Sequence, residues 1–173
     1  MAIVPGWRGR FFEDFTVGDV YQHPLGRTIS EADNTWFTLL TMNTNEIHFN
    51  AEYAARTEFG RPIVVSTLTF AIAVGQSVTD TTQNAFANLG IDQLRLIAPV
   101  RVGDTIWSES LVLDKRESRS RPYAGLVSIR TRTINQDGTE VLSFNRTFYV
   151  YRAGAEQVTD RFPAAATPLE VRP

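Results

Sequence analysis

The hydrophobic pattern of this chain changes its period about midway along the 173 residues. Before about Gln83 the apolar residues recur at helical spacing, whereas after it they alternate with polar residues as half-buried strands do. Helices that come early and strands that come late predict an α+β fold rather than alternating βαβ units. No internal repeat interrupts this order.

One of the early helices is apolar almost all round. It follows Pro62, and either Ser66 or Thr67 can serve as its N-cap. Its expected buried side consists of Leu68, Ala71, Ile72, Gly75 and Val78. A helix without a polar face is normally buried in a core, and small residues on it let a sheet approach closely. We therefore expect a long central helix wrapped by sheet.

Two further helices precede it. Ser30 is expected to cap the first, with Asp33 reaching back to the chain start as in a capping box. An apolar stripe at helical spacing then consists of Ala32, Trp36, Leu39 and Leu40. The second is a short helix from Ala51 to Arg56, capped by Asn50.

The strands are predicted from alternation and from the turns between them. They are expected at Val20 to His23, Gln93 to Ile97, Thr105 to Leu113, Gly125 to Ile134 and Glu140 to Tyr151. Asp137-Gly138 is a strong hairpin signal between the last two. In the last strand one face is expected to carry Leu142, Phe144, Phe148 and Val150.

Length and composition bound the class of protein. We expect an N-terminal arm at 1–10, a single domain at 11–152 and a C-terminal tail at 153–173. A net charge of −2 gives no reason to expect a nucleic acid or a membrane as partner. The absence of cysteine excludes disulfides and thiolate nucleophiles. With no signal peptide and no long apolar run, a cytoplasmic protein is the default.

The segment Thr41 to His48 carries the strongest candidate for chemistry. His48 is its only side chain that titrates near neutral pH, so it can act as a general acid or base. A structural histidine that binds a nearby carbonyl is an equally good reading. Asn43 and Asn45 either turn the chain or direct an amide at a ligand, and Glu46 is expected to be solvated.

Other candidate groups lie elsewhere along the chain. Free backbone N–H groups near Ser66 and Thr67 can polarise a carbonyl at the start of the main helix. Arg119 and Arg121, in a basic loop, can hold phosphate groups, although a solvated hairpin end is the more common role. His23 is expected to face solvent, and two distant histidines make a metal site improbable.

Two motifs together resemble the MaoC-like dehydratase family of hot-dog proteins. The family pattern Ser/Thr-Gly-Asp-x-Asn-Pro-x-His is similar to the segment from Thr41 to His48. Phe-x-x-Pro-Ile-x-His-Gly-Met-Leu is similar to the segment from Phe59 to Leu68, and the spacing fits without a gap. The likeness extends over Phe11 to Arg152.

The resemblance implies a hot-dog fold, with an antiparallel sheet around the central helix, and homodimers or dimers of dimers. It implies hydration or dehydration of an acyl thioester of coenzyme A or of acyl carrier protein, with no separate cofactor and no metal. His48 matches the family's catalytic histidine, Asn43 stands in the place of its aspartate, and Ser66 supplies the N–H that polarises the thioester. The substrate-binding positions implied are Asn45, Glu46, Val65, Thr67, Arg119 and Arg121.

Three departures from the family pattern keep other functions open. Asn43 cannot transfer a proton as a carboxylic acid does, Glu46 replaces a proline, and Val65-Ser66 replaces His-Gly. A hydro-lyase is the first hypothesis. A non-catalytic acyl-thioester binder and a hot-dog thioesterase are the alternatives.

Overall fold

The computed structural model describes residues 4–158, 162–163, 165–167 and 169, which form one sheet and three helices. The helices are α1 (Glu31–Leu40), α2 (Ala51–Ala54) and α3 (Ser66–Ser77), the last continued by a π-helical turn at Val78–Thr82. The strands are β1 (Val20–Gln22), β2 (Arg27–Thr28), β3 (Ala85–Leu96), β4 (Thr105–Glu117), β5 (Ala124–Asn135) and β6 (Glu140–Tyr151).

The sheet is antiparallel and follows the order β1-β4-β5-β6-β3, with β2 also paired to β4. Its inner face packs on α3, where Leu68 and Ala73 meet Ile106, Leu142 and Phe144 in one apolar cluster. The prediction of an α+β fold with a sheet around a central helix is confirmed.

The predicted side of α3 is wrong in part, although Leu68 is buried and Ile72 packs against the core as expected. Its buried residues are Leu68, Thr69, Ala73 and Ser77, whereas Ala71 and Gly75 are exposed. Nor does Ser66 or Thr67 cap the helix, because the N-cap position belongs to Val65, which offers no side-chain oxygen. A helix that is apolar all round has no polar face to fix its orientation, so contacts with the sheet decide it.

Alternation predicted the long strands well. In β4 the inward set is Ile106, Ser108, Ser110 and Val112, and β6 has the predicted bounds and inward residues. Gly138 has a φ of 76°, as the predicted hairpin turn requires. The exception is β3, which is much longer than the predicted strand because three register shifts interrupt its alternation.

α1 begins as predicted and packs the other way round. Ser30 accepts a hydrogen bond from the Asp33 N–H, and the Asp33 carboxylate accepts one from Ser30. The apolar stripe, however, faces outward, with Trp36 68 % exposed and Leu40 77 % exposed. The buried residues are instead Asn34 and Thr38, because Asn34 binds backbone groups outside the helix.

The N-terminal residues are tied down where they are described. Trp7 donates to the Thr79 carbonyl, and Arg10 pairs with Asp80 at the end of α3. Residues 7–10 of the predicted arm are therefore held against the domain, whereas 159–161, 164, 168 and 170–173 of the tail predicted at 153–173 lie outside the described residues. None of the described helices is long and apolar enough to cross a bilayer.

Candidate active site

His48 lies in a short 3₁₀ turn, Glu46–His48, that follows α1. Two asparagines build the approach to this turn. The Asn43 side-chain oxygen accepts the Asn45 N–H at 3.0 Å, and the Asn45 oxygen accepts the Ile47 N–H at 3.3 Å. Such side-chain turns hold the backbone in a defined shape. The loop therefore places His48 by local hydrogen bonds.

The His48 ring is fixed by one carbonyl. Its Nδ1 lies 3.0 Å from the Ile63 carbonyl oxygen, which can only accept. Nδ1 therefore carries the proton of the neutral ring, and Nε2 keeps the lone pair. No group among the described residues bonds to Nε2. The half-buried ring lines a cavity of about 310 Å³ together with Glu31, Asn34, Thr35, Phe49, Ala51, Arg61, Pro62 and Val102. This is the arrangement of an available base.

Ser66 begins α3, so its N–H is one of the donors that no helical carbonyl can reach. In the part of the chain that the structure describes, the N–H groups of Ser66 and Thr67 have no acceptor. Ser66 lines a second cavity of about 200 Å³, with Phe59, Ile63, Leu96, Ile97 and others. The segment 59–64 contributes to both cavities, so the two candidate groups are neighbours but do not share one cavity within this chain.

The remaining predicted residues of the loop are less directly placed. Asn43 is half-buried and lines neither of the two cavities, and its oxygen is already engaged. The exposed Glu46 carboxylate accepts from Asn50, and Asn45 and Thr67 are exposed. Val65 is buried and donates its N–H to Asn34. The turn thus explains both asparagines without a ligand.

Arg119 and Arg121 lie at the other end of the sheet. The Arg121 guanidinium stacks 4.6 Å from the ring centre of Tyr149, and Arg119 is exposed nearby in the loop between β4 and β5. Leu142, which lines the Ser66 cavity, is seven residues before Tyr149 on β6, or roughly 24 Å along a strand. One chain therefore does not bring these arginines to His48.

Comparisons with known proteins show which family the chain belongs to. The sequence profile of the MaoC like domain family matches residues 13–132. The chain belongs to the MaoC-like family. A 3-hydroxybutyryl-CoA dehydratase of Methylorubrum extorquens is 33% identical over 122 residues, which are 68% of this chain and 75% of that protein.

Other relatives of this MaoC-like chain are longer than it is. A mesaconyl-CoA hydratase of Cereibacter sphaeroides is 35% identical over 138 residues, which are 80% of this chain and 40% of the relative. A solved Mycobacterium tuberculosis protein described as a double hotdog fold is 26% identical, with a TM-score of 0.77, and the match covers 92% of this chain and 53% of that one. The chain thus spans about two fifths of the mesaconyl-CoA hydratase. The likeness to a double hotdog fold confirms the hot-dog prediction.

Sequence reasoning missed two residues of this MaoC-like chain. Asn34 forms hydrogen bonds with the backbone of His48, Ile63 and Val65 in the candidate site. An asparagine within a helix gives no sequence signal of such contacts. Arg146 had a signal, because β6 alternation places it inward between Phe144 and Phe148, and it is 1 % exposed. Burial lowers the pKa of Arg146 to about 10, so it stays charged at neutral pH.

The prediction that His23 faces solvent is wrong, since it is 4 % exposed. Its Nδ1 lies 2.9 Å from the Asp80 carboxylate, and its Nε2 lies 2.9 Å from the Ser110 hydroxyl. This order of groups resembles a hydrolase triad. Ser110, however, is fully buried and also bonds to Thr131, so no substrate reaches it. The network joins the sheet to the end of the central helix.

His23 predicts a pH dependence of stability. Burial lowers its pKa from the ordinary value, against the opposing effect of Asp80. The unfolded chain, whose histidines titrate near pH 6.5, therefore binds this proton more tightly than the folded protein. The free energy of unfolding should therefore be highest above about pH 6.5 as far as His23 is concerned. It should fall as the pH drops below that value, until the His23 ring of the folded protein is protonated too.

Urea unfolding at several pH values between about 5 and 8 measures this dependence. The His23→Asn variant should be less stable at neutral pH and show a flatter slope across that range. His48→Asn is the matched control, because it replaces the other histidine by the same residue. An equal slope in wild type and His23→Asn would contradict the assignment.

Proposed function

We propose that this chain is an acyl-CoA hydro-lyase that adds water to a 2-enoyl thioester or removes it from a 3-hydroxyacyl thioester. The observation that carries the proposal is the fixed His48 ring, whose Nδ1 is held by the Ile63 carbonyl while its Nε2 stays available beside a cavity. The names of the relatives, a mesaconyl-CoA hydratase and a 3-hydroxybutyryl-CoA dehydratase, support the same reaction class.

The proposed hydration needs one base and one donor. His48 Nε2 takes a proton from water while the water oxygen bonds to the β-carbon of the enoyl thioester. The Ser66 N–H stabilises the negative charge that develops on the thioester oxygen. The His48 imidazolium then returns its proton to the α-carbon, so that H and OH are added and the ring is restored. Because Asn43 cannot carry a proton, His48 serves both transfers.

The substrate handle and the assembly are part of the proposal. Coenzyme A, or an acyl carrier protein, carries the thioester, and Arg119 and Arg121 hold its phosphates only if a second chain brings them near. A homodimer or dimer of dimers is supported by β3, a long edge strand with exposed Leu89, Ile91 and Leu94. The relatives of about twice this length support two hot-dog units together. A cytoplasmic location stays a prediction.

A non-catalytic thioester binder is the second candidate, and one observation favours it. The Asn43 oxygen, at the place of the family aspartate, already accepts the Asn45 N–H and lines neither of the two cavities. A thioesterase is the third candidate. The network of His23, Asp80 and Ser110 does not support it, because Ser110 is fully buried and no substrate reaches it.

Crotonyl-CoA and mesaconyl-CoA test the three candidates in a single assay. We expect the absorbance of the enoyl thioester to fall without release of free thiol. A thiol-reactive dye measures the free thiol in parallel. Thiol release with the alkene intact would identify a thioesterase. Tight binding without either change would identify a binder and overturn the proposal.

The Asn43→Asp variant sharpens the same assay. In an active hydro-lyase we expect its rate to stay within about tenfold of wild type, because aspartate keeps the oxygen that accepts the Asn45 N–H. If the wild-type protein is instead inactive because it lacks the family aspartate, Asn43→Asp should raise turnover from nothing to a measurable rate. A positioned acid or base typically raises the reaction rate ~10²–10⁴-fold.

A further inference from the structure

Asn34 is a buried polar side chain that no part of the proposed reaction uses. It lies on the inner side of α1 and is 2 % exposed. An amide in such a place needs hydrogen-bond partners, because an unpaired buried polar group is costly. All of its partners are backbone groups of the candidate site.

The three hydrogen bonds of Asn34 reach both parts of that site. Its Nδ2 donates to the His48 carbonyl oxygen at 2.8 Å and to the Ile63 carbonyl oxygen at 3.3 Å. Its Oδ1 accepts the Val65 N–H at 2.9 Å. One amide therefore holds the backbone of the base and the residue that precedes Ser66.

The Ile63 carbonyl is the point where these contacts meet. It accepts from the Asn34 amide and from Nδ1 of the His48 ring. That carbonyl fixes the tautomer of His48, so whatever holds its peptide plane also holds the lone pair on Nε2. The Asn34 bond to Val65 holds the chain immediately before the helix start that presents the Ser66 N–H.

We propose that Asn34 is the positioning residue that couples the His48 base to the Ser66 N–H, an inference that rests on the proposed function. Only an amide meets the requirement, because the site asks for two donor bonds to carbonyls and one acceptor for an N–H. Aspartate keeps the acceptor but faces two carbonyl oxygens with a carboxylate. Alanine removes all three bonds. Neither change touches the atoms that react.

The first test needs no substrate. Nitrogen-15 NMR of the imidazoles in the wild-type protein reports the tautomer of each histidine, and the signals absent from His48→Asn identify His48. We expect neutral His48 to carry its proton on Nδ1 in wild type, and to become a mixture of tautomers in Asn34→Asp and Asn34→Ala. An Nε2–H tautomer in wild type, or an Nδ1–H tautomer that persists in the folded variants, overturns the proposal.

The second test separates positioning from stability. Thr38→Val is the matched control, since Thr38 is buried on the same helix one turn further and its hydroxyl donates only to the Thr35 carbonyl. With the thioester that wild type hydrates, Asn34→Asp should lower kcat by about 10²-fold with little change in KM, as small misplacements do. Thr38→Val should keep kcat within about threefold of wild type.

The two tests fail in different ways. Equal kcat losses in Asn34→Asp and Thr38→Val would show a merely structural role and overturn the proposal. A wild-type protein that hydrates no thioester would overturn the proposed function, while the tautomer of His48 would still decide whether Asn34 positions the ring. If neither Asn34 variant folds, an Nε2–H tautomer in the wild-type protein still overturns the inference.

Discussion

Replacing His48 with asparagine should lower the rate of enoyl-thioester hydration by about 10²- to 10⁴-fold, the usual contribution of a positioned acid or base. Asparagine is chosen because its side-chain N–H can still donate to the Ile63 carbonyl that now binds Nδ1. The variant can thus keep the hydrogen bond to the Ile63 carbonyl, but it has no imidazole and therefore no Nε2 to act as a base. The loss should appear in kcat rather than in KM, because the base acts in the transition state.

Steady-state kinetics with the substrate that wild type hydrates measures this effect. Glu52→Gln is the matched control, since Glu52 is exposed on α2 four residues from His48 and lines neither of the two cavities. It should retain wild-type kinetics. An unchanged kcat in His48→Asn would show that the imidazole takes no part in the reaction. Only the fold assignment would then remain supported.

Replacing Phe144 with alanine should destabilise the protein by about 3–5 kcal/mol, the range for a large aromatic removed from a core. Phe144 is fully buried on the inner face of β6, and its ring meets Phe70 of α3 edge-on with 5.0 Å between ring centres. The contact joins the sheet to the central helix. Its loss would leave a cavity where the two layers meet.

Urea unfolding of the variant and of Ser143→Ala measures this cost. Ser143 is the preceding residue, points to the outer face and is half-buried, so its change should stay within about 0.5 kcal/mol. A loss below about 1 kcal/mol in Phe144→Ala would contradict the packing of β6 on α3 described above.

Local patterns in the sequence were enough to predict most of the sheet. Strand β6 has its predicted bounds, because alternation continues without a break from Leu142 to Tyr151. The same alternation, applied to every residue of β6, would also have placed Arg146 on the inward face, but the prediction considered only the apolar residues. β3 was predicted too short because its register shifts, with Gln93 at a φ of 51°, break the period on which the prediction depends.

The candidate site was predicted in part. The residue spacing that carries the family resemblance located His48 and Ser66, and the structure places them on neighbouring cavities. It could not show that the Asn43 oxygen is occupied, because that depends on the turn its own loop adopts. The roles of Asn43, Ser66 and the basic loop in catalysis and binding stay predictions.

The sequence by itself determined the period of every long strand except β3, the helix cap at Ser30, the hairpin at Gly138 and the family. Each of these depends on residues a few positions apart, which is the range over which backbone geometry acts. Only the tertiary structure decided that α1 buries Asn34 and that His23 is buried beside Asp80. Those outcomes depend on hydrogen bonds between groups 14 to 87 residues apart, which no local pattern records.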